Sequence, residues 1–226
     1  AGARTVRFCL DQRVHKAEQL ADGSLAQFQG ASLLVYNDAM FTEEDFKSIQ
    51  RIGDSLKKES ESNKAKIGRF GIGFNAVYHW TDLPSFVSDR YLVMLDPQAR
   101  FLPNVNPSNP GKIVDWLKNR SMVTQFADQF KPYEMKGLAW NRSFNGTLFR
   151  LPLRTREQAE TSLLSKRSLS VEDARGLLHN LQVEASSMLL FLKNIEKIQI
   201  EEWLDGSAEP CSIFSCEISN SSMDTR

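Results

Sequence analysis

A glycine-rich turn at residues 68–73 separates a polar stretch from a helical pattern. Residues 54–66 are almost entirely Ser, Lys, Glu and Asn, so this stretch cannot bury a face and is expected to be a mobile surface segment. Gly68, Gly71 and Gly73 follow, and residues 75–80 then have helical spacing. Such a turn exposes main-chain N–H groups at the positive end of a helix, where a phosphate chain can approach without meeting a Cβ. The alternative is a tight turn beside packed backbone.

Two known phosphate-binding turns are excluded. The chain has no G-x-x-x-x-G-K-S/T motif, and its glycines do not directly follow a first strand as a dinucleotide fold requires. The order of elements is instead strand, polar turn, capped helix, polar segment, glycine turn and helix. This order suits a lid that closes over a nucleotide.

The segment before the polar stretch has several independent helix-start signals. Residues 31–36 form an apolar run rich in strand formers, and Asn37 and Asp38 then predict a turn. Thr42 is the predicted N-cap, Asp45 stands three residues later, and Phe41 and Phe46 are spaced for a hydrophobic staple. We therefore predict a strand, a turn and a helix that starts after Thr42.

The rest of the chain mixes strands and helices without the regular order of parallel crossover units. Ser170 and Asp173 predict the start of a long amphipathic helix. Strand patterns lie at 6–10, 86–88, 91–95, 144–153, 198–204 and 212–218, a loop at 103–111, and an interrupted helix at 113–130. We predict an α+β fold, a two-layer α/β sandwich with a mixed, mostly antiparallel sheet and helices on one face.

Composition excludes several classes of protein. The chain has 226 residues, with 28 basic and 28 acidic side chains, which gives no global attraction for nucleic acid or an acidic membrane. Its three cysteines and three histidines have no metal-ligand spacing, so no metal site made by the protein alone is predicted. The longest apolar run, 188–192, is far too short for a membrane span, and reduced thiols fit the cytoplasm.

Several segments of the chain resemble the GHKL ATPases, the group with the Bergerat fold that includes DNA gyrase B, the ninety-kilodalton heat-shock chaperone and MutL. Within this group the chain is most similar to sacsin repeats. The similar segments are VYNDAMFTEED at 35–45, GRFGIGFNAVYH at 68–79, TDLPSF at 81–86, LDP at 95–97 and NGTLFR at 145–150. The resemblance covers residues 1–205 as a nucleotide-binding domain, and leaves 206–226 as a C-terminal strand and polar tail.

The resemblance implies a site for ATP with Mg²⁺. It assigns the triphosphate to the turn formed by Gly68, Arg69, Phe70, Gly71, Ile72 and Gly73, and the adenine end to Thr147 and to Asn37 or Asp38. At the adenine position the family has an Asp-X-Gly-X-Gly turn, whereas residues 37–41 here lack both glycines and leave the register open by one residue. This turn must therefore be built differently.

The resemblance does not extend to hydrolysis. In these ATPases, a helix before the first strand carries the catalytic Glu and the Mg²⁺-binding Asn, and this sequence contains no counterpart of that helix. No catalytic residue is assigned, and the residues upstream of Ala1 would decide whether the domain is an enzyme.

Three functions fit the resemblance. The first is an ATP-binding domain of a chaperone or co-chaperone in protein quality control, with client proteins and heat-shock chaperones as partners. The second is a non-hydrolysing domain that acts as a protein-interaction module. The third, a topoisomerase or mismatch-repair ATPase, is disfavoured by the zero net charge and by NAVYH at 75–79, and a DNA gel shift at low salt would test it.

Overall fold

The computed structural model describes residues 2–54 and 72–218. Within these ranges the strands are β1 (Thr5–Asp11), β2 (Ser32–Asn37), β3 (Ser85–Asp89), β4 (Tyr91–Leu95), β5 (Gly111–Asp115), β6 (Phe144–Pro152), β7 (Lys197–Trp203) and β8 (Cys211–Glu217). The α-helices are α1 (Glu43–Asp54), α2 (Ile72–Asn75), α3 (Arg120–Gln125), α4 (Ala127–Phe130), α5 (Arg156–Thr161) and α6 (Val171–Phe191). Short 3-10 helices cover Gly23–Phe28, Ala76–His79 and Lys131–Tyr133.

The strands form one sheet in the order β5-β4-β3-β6-β2-β1-β7-β8. In the described part of the chain, β1 and β7 are the one parallel pair of neighbours, and the other neighbours run antiparallel. The predicted α+β class with a mixed, mostly antiparallel sheet is therefore confirmed. β8 is part of this sheet, because it pairs with β7.

The predicted helix starts are confirmed by their hydrogen bonds. Asp45 N donates to Thr42 Oγ1 at 3.2 Å, and Thr42 N donates to Asp45 Oδ2 at 2.9 Å. Each side chain thus accepts a hydrogen bond from the backbone N–H of the other residue at the start of α1. Ser170 and Asp173 make the same reciprocal pair at the start of α6. The predicted hairpin is also present, and Asp89 turns it with a positive φ of 52°.

Both faces of the sheet are covered, so the prediction of helices on one face only, in two layers, was wrong. In β2, Leu33 packs in the cluster beneath α6, whereas the next residue, Leu34, packs on the opposite face. That second face is covered by α3, α4 and the irregular chain around them, with Trp116 fully buried. The continuous apolar runs of these strands are typical of sheets buried on both sides.

The region predicted as an interrupted helix at 113–130 begins as a strand instead. Residues 111–115 form β5, which pairs antiparallel with β4, and helix begins only at Arg120. Pairing with β4 supplies hydrogen-bond partners for the backbone groups of β5. These long-range hydrogen bonds outweigh the helical pattern of the local sequence. Within the described residues, no helix combines the length and apolar character that a membrane crossing demands.

Candidate functional site

The structure describes three of the predicted site residues in full, namely Asn37, Asp38 and Thr147. Ile72 and Gly73 open helix α2, and only their backbone is described. Gly68, Arg69, Phe70 and Gly71 lie outside the described residues, as does most of the polar stretch before them. The described residues are therefore those that the resemblance assigns to the adenine end.

Asn37 and Thr147 lie side by side across the sheet. Asn37 at the end of β2 is in register with Thr147 of β6, and Thr147 is in register with Ser88 of β3. Because side chains alternate along a strand, these three share the face that also carries Phe149 and Phe86, which is the face under α1. The sheet register thus brings together residues 37, 88 and 147 of the sequence.

Two buried hydroxyls fix the turn that follows Asn37. Thr147 Oγ1 donates to Ala39 O at 2.7 Å and lies 2.8 Å from Ser88 Oγ. Ser88 Oγ in turn accepts from Phe41 N at 2.9 Å. Thr147 and Ser88 are both fully buried, so these hydrogen bonds form away from water. The hydroxyl of Thr147 therefore holds the turn in place.

Asn37 and Asp38 use their side chains differently. Asn37, which is half-buried, accepts from Ala39 N through Oδ1 at 3.1 Å. The exposed Asp38 accepts from Arg4 N at 2.8 Å and from Thr5 N at 3.0 Å, both through Oδ1. Asp38 thus ties the turn to the start of β1. With respect to the described residues, Asn37 retains an oxygen lone pair and an amide group for other partners.

Gly146, which precedes Thr147, is required by the close approach of β6 to β2. A Cβ at this position would lie 2.7 Å from Cε2 of Tyr36 and 2.9 Å from the carbonyl oxygen of Asn37. Both distances are too short for real carbon contacts. The glycine of the Gly-Thr pair therefore has a steric role next to the candidate site.

An aromatic cluster joins the turn to α1. The ring centroid of Phe41 lies 5.5 Å from that of Phe46 and 4.9 Å from that of Phe86, which confirms the predicted staple and anchors the turn on the sheet. The first turn of α1 carries three acidic residues, Glu43, Glu44 and Asp45. This negative charge disfavours a phosphate next to the start of α1.

Arg154, which follows β6, anchors the helical segment that begins at Ile72. Its buried guanidinium donates to Asp82 Oδ1 at 2.9 Å, to the carbonyl oxygen of Tyr78 at 2.6 Å and to that of His79 at 3.3 Å. Burial raises the pKa of the Tyr78 phenol to about 12, with a further contribution from the carboxylate of Asp96. The end of this segment is therefore held by buried hydrogen bonds. The His79 side chain is exposed.

A cavity of about 240 Å³ lies on this face of the sheet, between α6 and the 3-10 helix at 76–79. Its lining is mainly apolar and includes Phe8, Val35, Val77 and Leu181. This volume is below the roughly 300–1,000 Å³ of typical ligand pockets. Across residues 2–54 and 72–218, no cluster of three or more His, Cys, Asp or Glu is placed to hold a metal ion.

The sequence analysis missed two residues that organise this region. Ser88 follows the apolar pair Phe86 and Val87 in β3, and Arg154 follows Leu153 just after β6; both side chains are fully buried. A polar residue inside a buried pattern is a signal for a specific hydrogen-bonded role, because burial without a partner is costly. That signal was present in both cases.

The fold and the turn around Asn37 define an α+β domain of the kind expected from the sequence. A family model described as the Sacsin domain matches residues 1–215, and the chain therefore belongs to the sacsin-domain family. Human Sacsin is 38% identical to it over 203 residues, which is 89% of this chain. The match covers 4% of human Sacsin, so the chain spans a small part of that relative's length.

Proposed function

We propose that this domain binds an adenine nucleotide and works in protein quality control in the cytoplasm, with client proteins and heat-shock chaperones as partners. The observation that carries the proposal is the side-by-side placement of Asn37 and Thr147 in β2 and β6, next to a turn fixed by side-chain hydrogen bonds. Membership of the sacsin-domain family supports it, because the resemblance to GHKL ATPases assigns these positions to the adenine end.

In this proposal Asn37 recognises the base. Its amide oxygen accepts a hydrogen bond from the adenine amino group, and its NH₂ group donates to a ring nitrogen. Thr147 acts as a positioning residue, since its hydroxyl is committed to Ala39 O and Ser88. Asp38 is also a positioning residue, because its carboxylate accepts from two backbone N–H groups of the first strand.

The glycine turn at 68–73 would bind the phosphates with Mg²⁺. This assignment rests on the resemblance and on the acidic first turn of α1, which disfavours a phosphate beside the start of that helix. Mg²⁺ would be bound largely through phosphate oxygens and water, the usual arrangement when the protein offers few ligands. ATP hydrolysis is not part of the proposal, because no catalytic residue is assigned.

Isothermal titration calorimetry with Mg·ATP and Mg·ADP tests the proposal. Asn37→Leu, which keeps the approximate side-chain size, is expected to weaken binding at least tenfold, because it removes about two hydrogen bonds worth ~1 kcal/mol each. Asn180→Leu, at an exposed position on α6, is the matched control and should bind like the parent chain. The absence of heat with either nucleotide at millimolar concentration would contradict the proposal.

Gly71→Leu tests the phosphate side independently. Any side chain at this position is expected to occupy the path of the phosphates and to abolish nucleotide binding. Adenosine, which has no phosphates, should lose far less affinity in this variant than ATP. Equal loss for the two ligands would indicate general disruption of the site instead.

A second candidate function is a protein-interaction module without nucleotide. Two observations favour it: the cavity between α6 and the 3-10 helix at 76–79 is small, and Thr147 Oγ1 and Asp38 Oδ1 already have main-chain partners. The titrations above discriminate the two functions. If Mg·ATP and Mg·ADP give no heat while the chain is folded by circular dichroism, the interaction module is the better description.

A further inference from the structure

In the proposed function Asn37 contacts the base, and its polar neighbours are committed to the main chain. Thr147 and Ser88 are both fully buried, and the Thr147 hydroxyl donates to Ala39 O. Asp38 faces the start of β1, where its Oδ1 accepts from two backbone N–H groups. Asn37 itself is half-buried at the end of β2. The groups that Asn37 presents therefore decide which bases this end of the site accepts.

The backbone of Ala39 fixes the orientation of the Asn37 amide. A backbone N–H can only donate a hydrogen bond, so the atom that lies 3.1 Å from Ala39 N is the carbonyl oxygen Oδ1 and not the amide nitrogen. Oδ1 has two lone pairs, and this hydrogen bond uses one of them. The NH₂ group lies on the other arm of the amide, away from the N–H of Ala39.

The NH₂ group of Asn37 is open to solvent. It makes no hydrogen bond with a residue in the ranges 2–54 and 72–218, and it is not one of the buried polar atoms that lack a partner there. An amide nitrogen without a protein partner is therefore hydrated in the free domain, which avoids the cost of burying it. Asn37 thus offers a ligand two N–H donors and one oxygen lone pair.

An amide with both kinds of group does not separate purines by the substituent at C6. Adenine carries an amino donor at this position, whereas hypoxanthine and guanine carry a carbonyl acceptor. Oδ1 of Asn37 can accept from the amino group, and its NH₂ group can donate to the carbonyl oxygen. A carboxylate at position 37 would only accept, so it would pair with the amino group and leave the carbonyl oxygen without a donor.

We infer that this site binds 6-oxopurine nucleotides as well as adenine nucleotides, and that Asn37 is the residue that determines this breadth. The inference rests on the proposed function, because it requires a purine nucleotide with its C6 substituent at Asn37. It goes beyond that function by naming a second class of ligand. Since the two classes share their ribose and phosphates, the contact with Asn37 is where the site treats them differently.

Calorimetric titration with ATP, inosine triphosphate and purine riboside triphosphate, each with Mg²⁺, tests the inference. Inosine triphosphate is expected to bind within about fivefold of ATP, because each forms one neutral hydrogen bond with Asn37. Purine riboside triphosphate has no C6 substituent and should bind about fivefold more weakly than either. Asn37→Asp retains an oxygen for Ala39 N but replaces the NH₂ group, so it should keep ATP binding and weaken inosine triphosphate at least tenfold.

The matched control is Asn180→Asp, the same chemical change at an exposed position on α6, which should leave the affinities for ATP and inosine triphosphate similar. If the parent chain binds ATP but binds inosine triphosphate more than tenfold less tightly, the inference is overturned and the proposed function stands. The inference also fails if Asn37→Asp, shown folded by circular dichroism, changes the two affinities equally. If none of the three nucleotides binds at millimolar concentration, the proposed function fails and the inference with it.

Discussion

Replacement of Arg154 by methionine is expected to be among the most destabilising single changes in this domain. Arg154 is fully buried, and its guanidinium donates to Asp82 Oδ1 and to the carbonyl oxygens of Tyr78, His79 and Arg167. These hydrogen bonds join the end of β6 to the helical segment at 72–79. Methionine fills similar space but supplies no donor.

The magnitude follows from what the substitution leaves behind. Asp82 is also buried, and without Arg154 its Oδ1 retains a hydrogen bond only from Ser162 Oγ at 2.8 Å among the bonds recorded. Its Oδ2 has no partner in the described part of the chain. Breaking a buried ion pair by removing one partner costs about 3–5 kcal/mol. We therefore expect the free energy of unfolding to fall by about 3–5 kcal/mol in Arg154→Met.

Urea unfolding followed by circular dichroism measures this change, with the double variant Arg154→Met, Asp82→Leu completing the cycle. The double variant should regain part of the loss, because it no longer leaves a carboxylate buried without its cation. Arg175→Met is the control, since Arg175 makes a partly exposed pair with Glu202, and its effect should stay below about 1 kcal/mol. A loss below about 1 kcal/mol for Arg154→Met would refute the reasoning.

Three further predictions concern the glycines, Tyr78 and the cysteines. Gly146→Ala should lower the free energy of unfolding by about 1–3 kcal/mol, because its Cβ would lie 2.7 Å from a tyrosine ring carbon. Gly176→Ala is the control: this residue lies in open space on α6, and the substitution should raise the free energy of unfolding by roughly 0.5–1 kcal/mol in the same urea assay. Since the pKa of Tyr78 is raised from 10.0 to about 12 on folding, stability should be lost as the pH rises through this interval, and Tyr78→Phe should reduce that loss in urea titrations at each pH. Burial, followed by the charges of neighbouring carboxylates, raises the pKa of the Cys9 thiol, so a thiol reagent should label the exposed Cys211 in the native protein and Cys9 only after unfolding, as mass spectrometry of peptides would show.

The elements that sequence analysis predicted well depend on neighbours along the chain. The cap of α1 by Thr42 and Asp45, the cap of α6 by Ser170 and Asp173, and the β3–β4 hairpin are each fixed within a few residues. Their energies come from local hydrogen bonds and local backbone preferences. For this reason the residue types alone indicated where these elements begin.

The sheet order and the second covered face depend on distant contacts instead. β1 pairs in parallel with β7, in the register Thr5 with Lys197, and no local pattern encodes this partner. The side chains that cover the second face, among them Trp116 and Trp140, come from a stretch with little regular structure. The contact between Thr147 and Ala39 likewise spans 108 positions. Such pairings follow from the packing of the whole domain.

The missing glycines at residues 37–41 carry less weight against a nucleotide site than the sequence suggests. Glycine is needed in a turn where the backbone takes a positive φ, and the non-glycine residues with positive φ in the described ranges are Asp89, Ala99 and Asn104, all outside this turn. The turn is fixed instead by side chains: Asn37 Oδ1 accepts from Ala39 N, Thr147 donates to Ala39 O, and Ser88 accepts from Phe41 N. These three hydrogen bonds hold the turn without a positive φ at any of its non-glycine residues. The Asn37 amide therefore remains held at the end of β2 without glycine.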